Sequence, residues 1–116
     1  MRIKVHRKNK YNAKPTQYRG WRFDSKAEAT FAELLDQRKL SGQVAYWLRQ
    51  VPFDLTETDR YKADFLVIES DGTIYAVDVK GMETPSFKKI RKLWKRYGVM
   101  PLRIVKKNSQ TEILEP

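Results

Sequence analysis

The segment Tyr61–Lys80, with the sequence YKADFLVIESDGTIYAVDVK, decides the fold of this chain. Two runs rich in β-branched and aromatic residues, Tyr61–Glu69 and Thr73–Lys80, flank the polar residues 70–72. A short polar turn between two such runs is typical of a β-hairpin. Because hairpin strands are antiparallel, the beginning of the first run is expected to lie beside the end of the second.

Two acids occupy this hairpin at positions that suit a metal ion. Asp64 interrupts an apolar run, where a carboxylate is costly unless a partner or a cation neutralises it. Side chains alternate across a strand, so Asp78 and Lys80 share one face. Antiparallel pairing is expected to bring Asp64 and Asp78 to the same end of the sheet, within reach of one ion. A plain ion pair between Asp78 and Lys80 on a half-exposed sheet is the alternative.

The flanking sequence predicts further helices and strands. In chain order these are a helix from Ser25 to about Leu40, strands at Val44–Val51 and Phe53–Leu55, the hairpin, a helix from about Ser86 to Tyr97, a strand at Leu102–Lys106 and a short strand at Thr111–Leu114. Pro52 marks an edge, a bulge or a break, because proline cannot donate to a ladder. The order helix, three strands, helix, strand predicts an α/β fold with a central mixed β-sheet, flanking helices and at least one crossover.

The first helix offers a third candidate carboxylate, Glu28. The spacing Ser25-x-x-Glu28 is also that of a capping box, in which Glu28 bonds back to the helix N-terminus. Glu28 borders the side that we expect to face the core, so it is a candidate ligand as well, and the two roles do not exclude each other. Four residues at helical spacing form that side: Phe31, Leu34, Leu35 and Arg38.

Composition places the chain among globular proteins with a polyanionic partner. Its 116 residues are 41% hydrophobic and 12% aromatic, with a formal net charge of +10. The first 22 residues hold eight Lys or Arg and no acid, and residues 86–97 hold six more. Two acid-free basic blocks favour nucleic acid as the partner, with a solvated basic surface as the alternative.

Other features of the sequence limit the class of protein further. Residues 1–20 are expected to form an irregular, basic N-terminal arm, and residues 21–116 a single domain. The chain has no cysteine, which excludes disulfides and thiolate metal sites, so oxygen ligands for Mg²⁺ or Mn²⁺ are favoured. No apolar run approaches the ~20 residues of a membrane span, and we expect a cytoplasmic protein.

Basic residues on several predicted elements are candidates for contact with DNA phosphates. No acid lies within the second predicted helix to form i,i+4 pairs, so its like charges repel unless an anion is near. A solvated exterior is again the alternative. The candidates are Arg19, Arg22, Lys26, Lys62, Lys88, Lys89, Arg91, Lys92, Lys95 and Arg96.

Aromatic and polar residues near these elements have simpler interpretations. We expect Trp21, Trp47 and Trp94 to pack in the core or an interface in preference to stacking on bases. Thr84 is expected to cap the second helix, although its hydroxyl also suits a phosphate. Gln50 either assists the site or is an exposed amide.

In combination, Glu28, Asp64 and the segment Asp78-Val79-Lys80 resemble the motif of the PD-(D/E)XK nuclease superfamily. The likeness extends over about residues 18–106 and is greatest to phage-encoded members and archaeal-type Holliday junction resolvases. Two positions depart from the pattern: Ala63 replaces the usual Pro, and Asp78 stands where the resolvases commonly have Glu. The resemblance implies a restriction-endonuclease-like core with the order α-β-β-β-α-β.

The resemblance also implies metal-dependent hydrolysis of DNA phosphodiesters. Asp64, Asp78, the Val79 carbonyl and Glu28 would hold Mg²⁺, which Mn²⁺ can replace, and Lys80 would orient the attacking water and stabilise charge on the phosphate. The implied substrate is a four-way junction cut by a homodimer, and likeness to phage members implies the host bacterial cytoplasm. The alternatives are an endonuclease acting on duplex, flap or specific sites, and a non-catalytic nucleic-acid-binding protein.

Overall fold

A five-stranded mixed sheet forms the centre of the computed structural model, which describes residues 15–81, 83–106 and 110–116. In chain order its elements are β1 (Thr16–Tyr18), β2 (Trp21–Phe23), α1 (Lys26–Leu40), β3 (Val44–Asp54), β4 (Arg60–Glu69), β5 (Ile74–Lys80), α2 (Pro85–Tyr97), β6 (Leu102–Lys106) and β7 (Thr111–Leu114). The strand order is β3-β4-β5-β6-β7, and β1 and β2 form a separate hairpin. Only β5 and β6 are parallel, with α2 as their crossover, which confirms the predicted α/β class.

The central hairpin is the predicted one. Strand β4 pairs antiparallel with β5, with Phe65 opposite Val77 and Ile68 opposite Ile74. The turn uses Gly72 at φ 94°, a left-handed conformation that glycine adopts without steric cost. Neither helix of the described segments is long and apolar enough to cross a membrane.

Strand β3 differs from its prediction in one respect. It runs without interruption through Pro52, which lies opposite Lys62, so the alternative in which Pro52 breaks the strand is excluded. The expectation that Pro52 marks an edge is confirmed, because β3 is an outer strand of the sheet. An edge strand tolerates proline, since one side of its backbone has no neighbour that requires the missing N–H.

Each face of the sheet carries a hydrophobic cluster. Alternate residues of β5 enter different clusters, Val77 with α1 and Ala76 with α2, so the two helices cover opposite faces. We call these groups the α1-side and α2-side clusters. The α1-side cluster comprises Phe23, Ala29, Ala32, Leu35, Val44, Trp47, Phe65, Val67, Tyr75 and Val77. The α2-side cluster comprises Leu55, Tyr61, Ala63, Ala76, Phe87, Trp94, Leu102, Ile104 and Leu114.

Helix α1 presents a slightly different face from the predicted one. Its buried residues are Glu28, Ala29, Ala32 and Leu35, whereas Leu34 remains 46% exposed. Leu34 lies roughly 100° around the helix from Leu35, and the two alanines instead bring the helix close to the sheet. The inward-facing assignment of Leu34 is therefore wrong, and Glu28 moves from the border of the buried face into it.

The N-terminal region is more ordered than predicted over the part that the structure describes. Residues Thr16–Tyr18 form β1, so the irregular arm over residues 1–20 is wrong for this segment, while residues 1–14 lie outside the described residues. Arg19 at φ 53° and Gly20 at φ 78° form a two-residue turn into β2. The hairpin thus crosses the boundary predicted between residues 20 and 21.

Asp36 of helix α1 anchors this hairpin. Its Oδ2 accepts hydrogen bonds from the Tyr18 hydroxyl at 2.8 Å and from Arg19 Nη1 at 2.9 Å. Its Oδ1 accepts from Trp47 Nε1 of β3 at 2.9 Å. These donors lower the pKa of Asp36 against the opposing effect of burial, so one carboxylate joins β1, α1 and β3.

Gly98 ends α2, as predicted, but for a packing reason. Its φ of −64° is open to any residue, yet a Cβ there would lie 2.6 Å from the Trp94 carbonyl oxygen and 2.8 Å from the Trp94 ring. We expect Gly98→Ala to lower the free energy of unfolding by about 1–3 kcal/mol, measured by urea denaturation. Gly81→Ala is the control, because a Cβ there meets no atom within 4 Å. Equal stability of the two variants would contradict this explanation.

Candidate functional site

The two acids of the hairpin face each other across adjacent strands. Phe65 pairs with Val77, so Asp64, one residue earlier, lies opposite Asp78, one residue later. The Val79 backbone N–H donates to Asp64 Oδ2 at 2.8 Å, and Asp78 is only 5% exposed. As antiparallel pairing led us to expect, both carboxyl groups lie at the same end of the sheet, and both are largely withdrawn from water.

Strand β4 changes its orientation at Asp64. Strict alternation would place all its odd residues in one cluster, but Ala63 belongs to the α2-side cluster and Phe65 to the α1-side cluster. Opposite Asp64 on β3, Gln50 adopts a φ of 55°, which is uncommon for a residue with a Cβ. Such conformations cost about 1–3 kcal/mol and are concentrated at functional sites.

Glu28 is directed into the same region from the N-terminus of α1. Its backbone N–H donates to Ser25 Oγ at 3.1 Å, so Ser25 caps the helix as predicted. The Glu28 carboxyl group is buried with the residue 7% exposed, and its Oε2 lies 3.4 Å from the Ser25 hydroxyl. Glu28 Oε1 finds no donor among the described residues, and the Glu28 carboxyl group instead shares a side-chain hydrogen bond with Asp64. Ser25 thus provides the cap while the Glu28 side chain points to the site.

The carboxyl groups act on one another electrostatically. Burial, followed by the charge of Asp24, raises the pKa of Glu28 to about 7, and the charge of Asp78 contributes in the same direction. Burial and the charges of Asp78 and Glu28 raise the pKa of Asp64 well above its usual range. Acids from α1, β4 and β5 therefore meet in one region of low polarity, where the ionised forms of Glu28 and Asp64 are disfavoured.

Lys80 lies beside this group as the sequence led us to expect. Its Nζ is 3.3 Å from Asp78 Oδ1 and 4.0 Å from the centroid of the Phe87 ring. The side chain is 22% exposed, so the ammonium group borders both the buried carboxylates and solvent. An ammonium placed between an aromatic face and a carboxylate is held in position by both.

Tyr61 belongs to the site, and sequence reasoning missed it. Its hydroxyl donates a short hydrogen bond to Asp78 Oδ2. Burial and the charge of Asp78 raise the pKa of Tyr61, which keeps the hydroxyl protonated as a donor. Regular alternation would place Tyr61 on the face opposite Asp64, and the change of orientation at Asp64 instead brings it to Asp78. No local signal in the sequence marks that change.

In this structure the carboxylates are engaged with the protein's own donors. Among residues 15–81, 83–106 and 110–116, no group of three or more His, Cys, Asp or Glu side chains is arranged to hold a metal ion. Asp78 interacts with Tyr61 and Lys80, and Asp64 accepts from Val79. The chemistry of the side chains nevertheless suits Mg²⁺, because Glu28, Asp64 and Asp78 all offer carboxylate oxygens as ligands.

Helix α2 carries two kinds of basic residue. Arg91 donates to Glu83 Oε1 at 2.6 Å and to Glu112 Oε1 at 2.9 Å, and Lys89 Nζ lies 2.9 Å from Asp59 Oδ1. These acids come from other segments of the chain, which intrahelical spacing does not reveal. Acids from elsewhere in the chain therefore offset part of the repulsion among the like charges of α2. The solvent-facing remainder comprises Lys88, Lys92, Lys95 and Arg96, all exposed.

The other basic candidates are spread over the N-terminal half of the fold. Arg19 forms an ion pair with Asp36, while Lys26 and Lys62 are exposed on α1 and β4. Arg22 is half-buried in β2. None of these positions is close in sequence to α2, so any DNA contact would combine several elements.

The remaining predictions have mixed outcomes. Trp47 and Trp94 are core residues at 7% and 0% exposure, as expected, whereas Trp21 is 41% exposed. Thr84 occupies the N-cap position of α2 without a side-chain capping bond, and its hydroxyl lies 3.0 Å from that of Ser86. The predicted capping bond of Thr84 is therefore absent.

Fold and site together define a mixed α/β protein with buried, mutually repelling carboxyl groups beside a lysine. The chain belongs to the DUF1064 family, described as a protein of unknown function, whose model matches residues 8–111. Comparisons with curated proteins and with solved structures gave no match. The family match covers both hairpins and the carboxyl groups, so all of them are part of one family domain.

Proposed function

We propose that this protein is a metal-dependent DNA endonuclease of the PD-(D/E)XK type. The observation that supports this most is the meeting of Glu28, Asp64 and Asp78, from three different elements, beside Lys80. Buried acids that repel one another reduce the stability of a fold, so a purely structural role gives no reason for the arrangement. A divalent cation is the simplest partner that would offset this repulsion.

The cation would be Mg²⁺, with Mn²⁺ as a substitute, held by oxygens of Asp64, Asp78 and Glu28 and by the Val79 carbonyl. When bound, the cation would lower the pKa of a water molecule that it binds and would stabilise negative charge on the scissile phosphate. Occupying the site requires some carboxylates to turn away from their present donors. Glu28 and Asp64 share a side-chain hydrogen bond, so the cation would take the place of the proton between these two carboxyl groups.

The neighbouring residues of the chain position the reacting groups. Tyr61 holds one oxygen of Asp78, and Lys80 approaches the other at 3.3 Å, so the carboxylate has a defined orientation. Lys80 is partly exposed, and its ammonium group can donate to a water molecule or a phosphate oxygen that enters from solvent. We assign Lys80 the stabilisation of charge on the phosphate in preference to the role of a free base.

A four-way junction cut by a homodimer is the substrate that we favour. The described residues of one chain contain one such group of carboxylates, and paired symmetric cuts require two. The exposed basic side of α2 and the net charge of +10 suit the high charge density where several duplex arms meet. Resemblance to phage-encoded nucleases supports a place of action in the host bacterial cytoplasm.

The test compares three labelled DNA substrates under matched conditions. A synthetic four-way junction, a duplex with the sequence of one arm and a flap are incubated with the protein in Mg²⁺ or in EDTA. Cleavage of the junction alone, and only with metal, is the expected result. Equal cutting of all three would support an endonuclease but reject junction preference.

The chief rival is a non-catalytic nucleic-acid-binding protein. The observation that favours it is the exposed basic side of α2, which would bind DNA without any help from the carboxylates. Tight binding of the junction without cleavage in either Mg²⁺ or Mn²⁺ would reject the nuclease and leave this rival.

Residues of α2 are expected to divide into binding and structural roles. We expect Lys92→Ala to weaken DNA binding and to reduce the slope of log affinity against log salt by about one, because an exposed phosphate contact is lost. Arg91→Ala is the matched comparison on the same helix. It should chiefly lower the melting temperature, since it removes the ion pairs to Glu83 and Glu112. An unchanged salt slope for Lys92→Ala would remove this helix from the interface.

A further inference from the structure

Trp21 is an exposed tryptophan on the tip of the β1–β2 hairpin. It is 41% exposed, although the hairpin packs against the α1-side cluster through the neighbouring Phe23, which is 1% exposed. Large aromatic side chains usually give stability by burial, and an exposed one on a well-anchored element offers its face to a partner. No part of the proposed catalysis uses this residue.

The ring of Trp21 is held in a fixed environment. It meets the Trp47 ring edge to face, at 5.5 Å between centroids and an interplanar angle of 82°. The Arg49 guanidinium lies 5.5 Å from the Trp21 centroid and 4.4 Å from that of Phe23, and it also donates to the Arg22 carbonyl at 2.7 Å. The indole is therefore oriented before any ligand arrives, which lowers the entropic cost of binding.

Arg19 borders the same ring at an unusual backbone position. Its guanidinium is 5.6 Å from the Trp21 centroid and forms an ion pair with Asp36 at 2.9 Å, yet the side chain remains 55% exposed. Gly or Asn adopts its φ of 53° more readily, so the backbone conformation of the turn does not by itself favour arginine at this position. A functional use of the guanidinium accounts for the choice of residue.

We propose that Trp21, with Arg19 and Arg49, is a stacking platform for an unpaired nucleobase of a DNA strand. A nucleobase presents a π-face to the indole, and the phosphates on either side of it present negative charge to the guanidinium groups. A purely apolar partner would instead desolvate the two guanidinium groups without compensation. The choice of nucleic acid as partner rests on the proposed function, but the stacking does not depend on cleavage.

The platform lies on the segment that leads into the carboxylate group. Strand β2 ends at Phe23, Asp24 follows, and Ser25 caps the helix that carries Glu28. The charge of Asp24 is felt by Glu28, so the hairpin and the carboxylates are electrostatic neighbours. A base stacked on Trp21 would lie on the same side of the sheet as α1, the helix that carries Glu28, and substrates with unpaired bases would be favoured over intact duplex.

The test measures binding in EDTA, so that cleavage plays no part. Fluorescence anisotropy compares labelled oligo-dT with an abasic oligonucleotide of the same length. Wild-type protein is expected to bind oligo-dT roughly tenfold more tightly than the abasic strand, because base stacking on an aromatic ring is of that size. Trp21→Leu should remove this preference and Trp21→Phe should retain most of it. An oligo-rU of equal length reports whether a ribose backbone is accepted on the same platform.

Two further variants guard against loss of folding and non-specific effects. Arg19→Gly suits the turn, and it should weaken binding of both oligonucleotides and lower the salt slope by about one. Leu34→Ala removes an exposed apolar residue of α1 and should change neither affinity. The proposal is overturned if the folded Trp21→Leu variant keeps the wild-type preference for oligo-dT. It is also overturned if the only effect of this substitution is to convert a dimer to a monomer. Absence of cleavage with the oligo-dT preference intact would reject the nuclease and leave the platform.

Discussion

Asp78→Asn is expected to reduce Mg²⁺-dependent DNA cleavage by about 10²–10³-fold while leaving DNA binding unchanged. Asn keeps the shape of the side chain and still accepts from the Tyr61 hydroxyl, but it removes the negative charge that would attract a cation. The same change leaves Lys80 without the carboxylate at 3.3 Å that orients it. Single-turnover cleavage of the labelled junction, with anisotropy for binding, measures the two effects separately.

Two comparisons show whether the loss is specific to the site. Asp54→Asn alters an exposed carboxylate that pairs with Arg60 on the surface, and cleavage should be unaffected. Tyr61→Phe removes only the hydrogen bond to Asp78, and we expect about a 10- to 100-fold loss of metal affinity, typical of a residue that orients a ligand. Undiminished cleavage by Asp78→Asn would rule out Asp78 as a ligand.

Glu28→Gln is expected to stabilise the metal-free protein at alkaline pH by about 3 kcal/mol. The pKa of Glu28 is raised in the folded state to about 7 from an ordinary value of 4.5. When the pKa of a carboxyl group is higher in the folded than in the unfolded protein, the folded state binds the proton more tightly. The group therefore stabilises the fold fully below its unfolded pKa, and this contribution is lost as the pH rises through its folded pKa. The wild type should therefore weaken between about pH 4.5 and about pH 7 in EDTA, and the Gln variant should weaken less.

Urea denaturation in EDTA at several pH values measures this effect. Glu33→Gln is the matched control, because Glu33 is exposed on the same helix, and its pH dependence should follow the wild type. Addition of Mg²⁺ at about pH 8 should raise the melting temperature of the wild type and have much less effect on Glu28→Gln. If the free energy of unfolding depends on pH in the same way for the wild type and Glu28→Gln, the pKa of Glu28 is not raised in the folded protein and this explanation is wrong.

Much of the fold could be predicted because its signals are local. The runs Tyr61–Glu69 and Thr73–Lys80 and the polar turn between them identify the central hairpin without reference to any other part of the chain. Gly98 marks the end of α2, and the strand that follows must return beside β5 because one crossover helix separates them. Periodicity placed α1 well, but it did not decide which side would be buried, since Ala29 and Ala32 carry weak apolar signals.

The candidate site could be predicted only in part. Antiparallel geometry alone puts Asp64 opposite Asp78, and alternation alone puts Lys80 on the face of Asp78. Tyr61 was not predicted as a site residue, because a regular strand would direct its side chain to the face opposite that of Asp64. The ion pairs of Arg91 were not predicted, because Glu83 and Glu112 come from a loop and from β7.

By itself, the sequence determined the order of the elements from α1 to β7, the pairing of β4 with β5 and the meeting of two acids at one sheet end, but not the β1–β2 hairpin. These properties follow from hydrophobic period and chain direction, which neighbouring residues specify. Only the tertiary structure decided which groups share that region. Burial of Glu28, the change of orientation in β4 at Asp64 and the ion pairs of Arg91 depend on atoms brought together from distant segments, and pairwise distances in space are not encoded by local pattern.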